Sequence, residues 1–236
     1  IRDRDVTGVQ TCALPICEMV APAILFLHGA GRNHLTLWED SSTRRSLAAS
    51  RSVVVLPEGR NSWWLDSGSA GRYASLLIEL LDYLTPRLRL DPDKHRRGCA
   101  GWSMGGYGSI RLAQQHPESF HAWAGIIALL DFPNPDAYPT EFNHSVPPVF
   151  GPAESWPSLN PLQALPRLQG MALRFVTAET AFDRRMNETF HKALTARDIP
   201  HQFSIVPGAH RFDVVAREFP STLEWLDSQI AKGFHP

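Results

Sequence analysis

Gly101-Trp102-Ser103-Met104-Gly105-Gly106 is a G-x-S-x-G pentapeptide with an extra glycine, set between a predicted strand and a predicted helix. It constrains the fold because a serine on so sharp a turn needs a strained backbone, with glycines on either side where side chains would collide with the neighbouring strand and helix. Upstream, Arg97-Gly98-Cys99-Ala100 reads as the small-residue end of a strand. Downstream, Ile110, Leu112 and Ala113 fall at helical spacing between Tyr107 and His116, and Pro117 stops the helix. A lone G-x-S-x-G is a common glycine-rich turn. Between a strand and a helix, however, it holds a hydroxyl out at the top of a sheet, which makes Ser103 the candidate nucleophile.

The rest of the chain supplies such a sheet. Ala23 to Leu27 is a continuous apolar run that enters the tight loop His28-Gly29-Ala30-Gly31, as a strand buried on both faces of a parallel sheet does. Val53 to Leu56 repeats the device and stops at Pro57. A helix is predicted from Tyr73 to Leu88, with Leu76, Leu77, Leu80, Leu81 and Leu84 as its apolar stripe. Ala122 to Leu130 reads as another buried strand. The segment 131–158 carries seven prolines, with four aromatics between Phe132 and Phe150, a density that predicts no regular element and suits a lid or pocket wall. Beyond it the pattern gives a short helix over 161–168, a strand over 171–177, a helix over 183–196, a strand over 201–206 and a closing helix over 212–230. Strands alternating with helices imply an α/β domain with a doubly wound, mainly parallel sheet, whose ligands bind beyond the carboxyl ends of the strands.

A serine hydroxyl is a weak nucleophile at neutral pH, so it needs a base to take its proton and a carboxylate to orient that base. In this architecture the chain order is Ser, acid, His. His210 fits the base, because Pro207-Gly208-Ala209 carries it from the strand over 201–206 to the carboxyl edge of the sheet. The other histidines weighed, His116, His191 and His201, read as surface or structural, and His28 belongs to the glycine loop. Two carboxylates follow the strand over 171–177: Asp183, which could also be a helix N-cap, and Glu179, which could simply be solvated. Asp183 is the preferred acid, with Glu179 as the alternative. Negative charge that builds on a carbonyl oxygen would be met by backbone N–H groups, one from Met104 after the nucleophile and one from Ala30 in the H-G-x-G loop.

Composition narrows the class further. A formal net charge of -1 over 236 residues, with no basic stripe, excludes a nucleic-acid or anionic-membrane partner, and no apolar stretch is long enough to span a bilayer. Cys12, Cys17 and Cys99 offer no disulfide framework and no zinc spacing, so no metal is expected and a reducing, cytoplasmic compartment is favoured. Residues 1–18 show neither strand alternation nor a helical stripe. Thr7 to Ile16 resembles translated sequencing-adapter read-through, so residues 1–18 are expected to be a disordered or non-native arm, and 19–236 a single domain whose native beginning is missing.

Five stretches together resemble the esterase family of α/β-hydrolases that includes esterase D (S-formylglutathione hydrolase), feruloyl and acetyl-xylan esterases and mycolyltransferases. They are Leu27 to Gly31, Asn61 to Ser67, Gly101 to Ser109, Phe150-Gly151 with Asn160-Pro161, and Pro207 to His210, and Ser103-Met104-Gly105-Gly106-Tyr107-Gly108 is the most specific. The resemblance implies an α/β-hydrolase fold without its first strands, which would leave a sheet edge exposed. It also implies hydrolysis of a small carboxylic ester or thioester through an acyl-enzyme, with no cofactor. An acyltransferase on the same site and a non-catalytic binding relative are the alternatives. The chain departs from the family pattern in two places: Trp102 stands where His usually precedes the serine, and Glu179-Thr180 occupy the turn that usually holds G-x-x-D. Trp63, Trp64, Trp102 and Tyr107 are candidate walls of an aromatic substrate pocket, though core packing accounts for such residues equally well.

Overall fold

A computed structural model describes residues 9–10, 20–68, 71–137 and 146–231. The strands of the main sheet are β1 (Val9–Gln10), β2 (Ala23–Leu27), β3 (Val53–Val55), β6 (Arg97–Trp102), β7 (Ala122–Ile126), β8 (Ala172–Ala178) and β9 (Gln202–Val206). A separate short hairpin pairs β4 (Asp66–Ser67) with β5 (Gly71–Arg72). The sheet runs in the order β1-β3-β2-β6-β7-β8-β9, and every neighbouring pair is parallel except β1 with β3. The helices are α1 (Thr36–Glu39), α2 (Ser41–Ala49), α3 (Tyr73–Arg87), α4 (Met104–Gln115), α5 (Trp156–Leu159), α6 (Arg184–Thr195) and α7 (Phe212–Ile230).

Alternate strand residues feed two cores, one on each face. Leu25, Leu27, Cys99 and Trp123 pack with Leu77 and Leu81 of α3, Ile110 of α4 and Phe190 of α6. Ile24, Phe26, Ala100 and Trp102 pack with Leu47 of α2 and Val214, Phe219 and Leu226 of α7. Because both faces are covered, β2, β6 and β7 are buried at every position, which is why they read as unbroken apolar or small-residue runs.

Several sequence expectations shift at their edges. The strand expected over 122–130 ends at Ile126, because Ile127 takes a positive φ of 42° and turns the chain away. Leu76, expected in the apolar stripe of α3, is half exposed, while Leu77, Leu81 and Leu84 form the buried line. The proline-rich segment holds more structure than expected. Short 3-10 turns at Pro135–Ala137, Pro148–Phe150 and Ala153–Ser155, and then α5, tolerate proline because it occupies N-cap or first-turn positions where its missing N–H costs nothing. Within the expected arm, Val9–Gln10 adds two residues antiparallel to β3; residues 1–8 and 11–19 lie outside the described residues.

Candidate active site

β6 ends at Trp102, α4 begins at Met104, and Ser103 between them has φ 53° and ψ -121°. That left-handed conformation costs a serine on the order of 1–3 kcal/mol, and the surroundings hold it in place. The Ser103 N–H donates to the Ile126 carbonyl at 3.2 Å, and its carbonyl accepts from the Tyr107 N–H at 3.0 Å. A Cβ on Gly105 would overlap the Leu27 carbonyl, so glycine there lets α4 start against the end of β2.

His210 follows β9, and Asp183 precedes the first residue of α6 after β8. His210 Nε2 lies 2.9 Å from Ser103 Oγ, and its Nδ1 lies 2.6 Å from Asp183 Oδ1. An ionised carboxylate only accepts, so Nδ1–H donates to Asp183 and leaves the Nε2 lone pair for the Ser103 hydroxyl. Asp183 is fully buried, whereas the His210 side chain is 17% exposed. Both Asp183 carboxylate oxygens are engaged. Oδ2 accepts from the Thr177 hydroxyl at 2.7 Å and from Asn187 Nδ2 at 2.9 Å. Although Asp183 stands at the N-cap position of α6, its side chain makes no capping bond. Glu179 is exposed, and its carboxylate makes no hydrogen bond to the described residues. The Phe182 ring covers the imidazole of His210 at 4.3 Å between centroids.

The loop His28 to Gly31 faces this array. Gly59 donates its N–H to His28 Nε2 at 3.0 Å, which makes Nδ1 the protonated nitrogen and lets it donate to the Gly29 carbonyl at 2.9 Å. His28 is thus a neutral brace, and burial holds its pKa below the ordinary value. Asn61 Oδ1 accepts from the Gly31 N–H at 2.8 Å, and Trp64 Nε1 donates to the His28 carbonyl at 3.2 Å. Sequence reasoning missed Asn61 and His28 as supports, although both lie within the stretches that carried the family resemblance. Among the described residues, the N–H groups of Ala30 and Met104 donate to nothing.

A cavity of about 410 Å³ opens here, lined by Ala30, Trp102, Ser103 and His210 and rimmed by Arg32 and Arg211. A neighbouring cavity of about 690 Å³ shares Ala30 and is walled by Trp63, Asn61 and Pro147 to Val149 of the proline-rich segment. Of the four aromatics considered for a pocket wall, Trp102 and Trp63 line one cavity each. Trp64 and Tyr107 are core residues instead. Trp64 is wedged against Gly59 and Gly108, and the fully buried Tyr107 donates its hydroxyl to the Leu159 carbonyl at 2.9 Å. Among the described residues, no group of three or more His, Cys, Asp or Glu side chains is placed to hold a metal ion.

A parallel sheet with helices on both faces, carrying a serine at the β6–α4 turn and a histidine after the last strand, is the α/β-hydrolase fold. Solved structures share it. The fluorophosphonate-binding serine hydrolase F of Staphylococcus aureus superimposes with a TM-score of 0.75 at 21% identity, covering 88% of this chain and 84% of that one. The S-formylglutathione hydrolase of Staphylococcus aureus gives 0.74 at 19% identity, covering 88% and 84%. The Putative esterase family model matches residues 18–157, more than half of the chain, and the protein belongs to that family. An acetyl esterase of Caldicellulosiruptor saccharolyticus is 28% identical over 109 residues, 45% of this chain; the match spans 40% of that relative's length.

Proposed function

We propose that the protein is a serine carboxylesterase that hydrolyses small-molecule carboxylic esters or thioesters through an acyl-enzyme on Ser103. The hydrogen-bonded series Ser103–His210–Asp183 carries this reading. Membership of an esterase family supports it. Ser103 Oγ attacks the carbonyl carbon while His210 Nε2 takes its proton, and Asp183 holds the imidazole in the tautomer that can accept it. The oxyanion is received by the Ala30 and Met104 N–H groups, the latter at the start of α4 where the helix dipole favours negative charge. As the tetrahedral intermediate collapses, His210 returns the proton to the departing alcohol or thiol. Water then enters, the same imidazole takes its proton, and the carboxylic acid leaves. No helix among the described residues is long and apolar enough to cross a membrane. Cysteine usage is the ground for placing the enzyme in the cytoplasm.

The test is direct. Purified protein should cleave p-nitrophenyl acetate or butyrate and take up a fluorophosphonate probe, and Ser103→Ala should abolish both. Unchanged turnover in that variant overturns the assignment.

A further inference from the structure

Two guanidinium groups line the cavity that contains Ser103: Arg32 has no carboxylate partner among the described residues, and Arg211 has one that is largely solvent-exposed. Arg32 follows the glycine loop, and its side chain lies over the Phe212 ring at 5.2 Å. Among the described residues it makes no other side-chain contact of hydrogen-bond or ion-pair kind. Arg211 follows His210 directly. It pairs with Asp213 at 3.6 Å, in a pair whose side chains are 75% and 65% exposed, where water and salt leave little attraction. The rim therefore sets two cations against one anion, on a chain whose formal net charge is -1.

The position of these cations relative to the chemistry matters. His210 must hand its proton to the leaving group, so the leaving group lies on the His210 side of Ser103. That side is where Arg211 and Phe212 stand, and Arg32 is held there by its contact with the Phe212 ring. Resting on the esterase reading above, we propose that the preferred substrates carry an anionic group, a carboxylate or a phosphate, on the alcohol or thiol portion, and that Arg32 and Arg211 bind it. A planar fork of N–H donors suits either anion, and Arg32 shares the lining of the cavity with the Phe212 ring it lies over. The same anion placed on the acyl portion would be carried away from the arginines.

The experiment compares 4-acetoxybenzoate with its methyl ester, which share the acetyl group and differ by one negative charge on the leaving phenol. Each kcat/KM is divided by the ester's own rate with hydroxide, to remove intrinsic reactivity. The charged ester should be preferred, and the preference should shrink as ionic strength is raised, because exposed charge pairs are screened. Exposed pairs are worth roughly two- to fivefold each, so Arg32→Gln with Arg211→Gln should lower the preference by about tenfold. Arg32→Lys with Arg211→Lys should keep a large part of it. A preference that is absent, insensitive to salt, or unchanged in the glutamine variant overturns the proposal. Failure to turn over either ester, together with failure to label with fluorophosphonate, would instead sink the esterase reading. The two failures are therefore distinguishable.

Discussion

Asp183 shows what a residue type can and cannot reveal. Two carboxylates stand within five residues of the end of β8, and nothing in composition separates them. Their surroundings do. Glu179 is solvated, whereas Asp183 is buried and satisfied by Thr177, Asn187 and His210. Both Thr177 and Asn187 are spaced from Asp183 in ways that become legible only once β8 and α6 are known to flank it. Ser103 and His210 could be read earlier because glycines and a proline-glycine turn mark their positions. Asp183→Ala should lower kcat by about 10⁴-fold, on the magnitude seen when a triad carboxylate is lost, while Glu179→Ala should stay near the parent rate. Steady-state turnover of p-nitrophenyl acetate decides between them. His28 gives a prediction of stability. Its pKa is lowered in the folded protein chiefly by burial, which outweighs the upward pull of its bond to the Gly29 carbonyl and of the nearby Glu58 carboxylate, so the unfolded chain binds the proton more readily. The contribution of neutral His28 is thus complete above the ordinary value of 6.5 and is lost progressively as pH falls below it. Urea midpoints measured between pH 8 and pH 5 should fall on the acid side, and more steeply than in His28→Asn.

Elements that rest on apolar periodicity were the most legible. β2, β6 and the closing helix α7 stand where the runs placed them, because burial on two faces or along one stripe leaves no freedom in residue choice. α2 escaped, although Asp40 marks its start by accepting from the Ser42 and Thr43 N–H groups at 3.0 Å each. Its sequence, Ser41 to Ala49, is mostly polar and buries only Thr43 and Leu47, so the cap was the sole signal. The β4–β5 hairpin is two residues to a strand and too short for any period to show. The β6–α4 turn carries its own prediction: Gly105→Ala would drive a methyl into the Leu27 carbonyl, a backbone atom that can move only if β2 moves. Overpacking typically costs about 1–3 kcal/mol, and an immovable backbone atom puts this case at the upper end. Chemical denaturation of the variant should show that loss, whereas Gly68→Ala, where an added Cβ meets nothing within 4 Å, should leave the midpoint in place.

Across the whole molecule, residues 103, 183 and 210 meet because β6, β8 and β9 are parallel in one sheet and present their carboxyl ends at the same edge. A doubly wound topology was readable from the alternation of strand and helix; the depth and lining of the two cavities were not, because loops between elements obey no period. Trp102, where the family usually has a histidine, is one such lining residue. Its indole sits beside Ser103 at the floor of the cavity, between Phe26 and Phe212 at about 6 Å, and is only 4% exposed. The chain therefore carries its own optical gauge of occupancy. Mixing the enzyme rapidly with an ester should produce a change in tryptophan emission on the timescale of acyl-enzyme formation, followed by recovery as water clears the site. Of the seven tryptophans, Trp102 alone lines the cavity that holds Ser103, so Trp102→Phe should erase that transient while the steady emission of the rest remains.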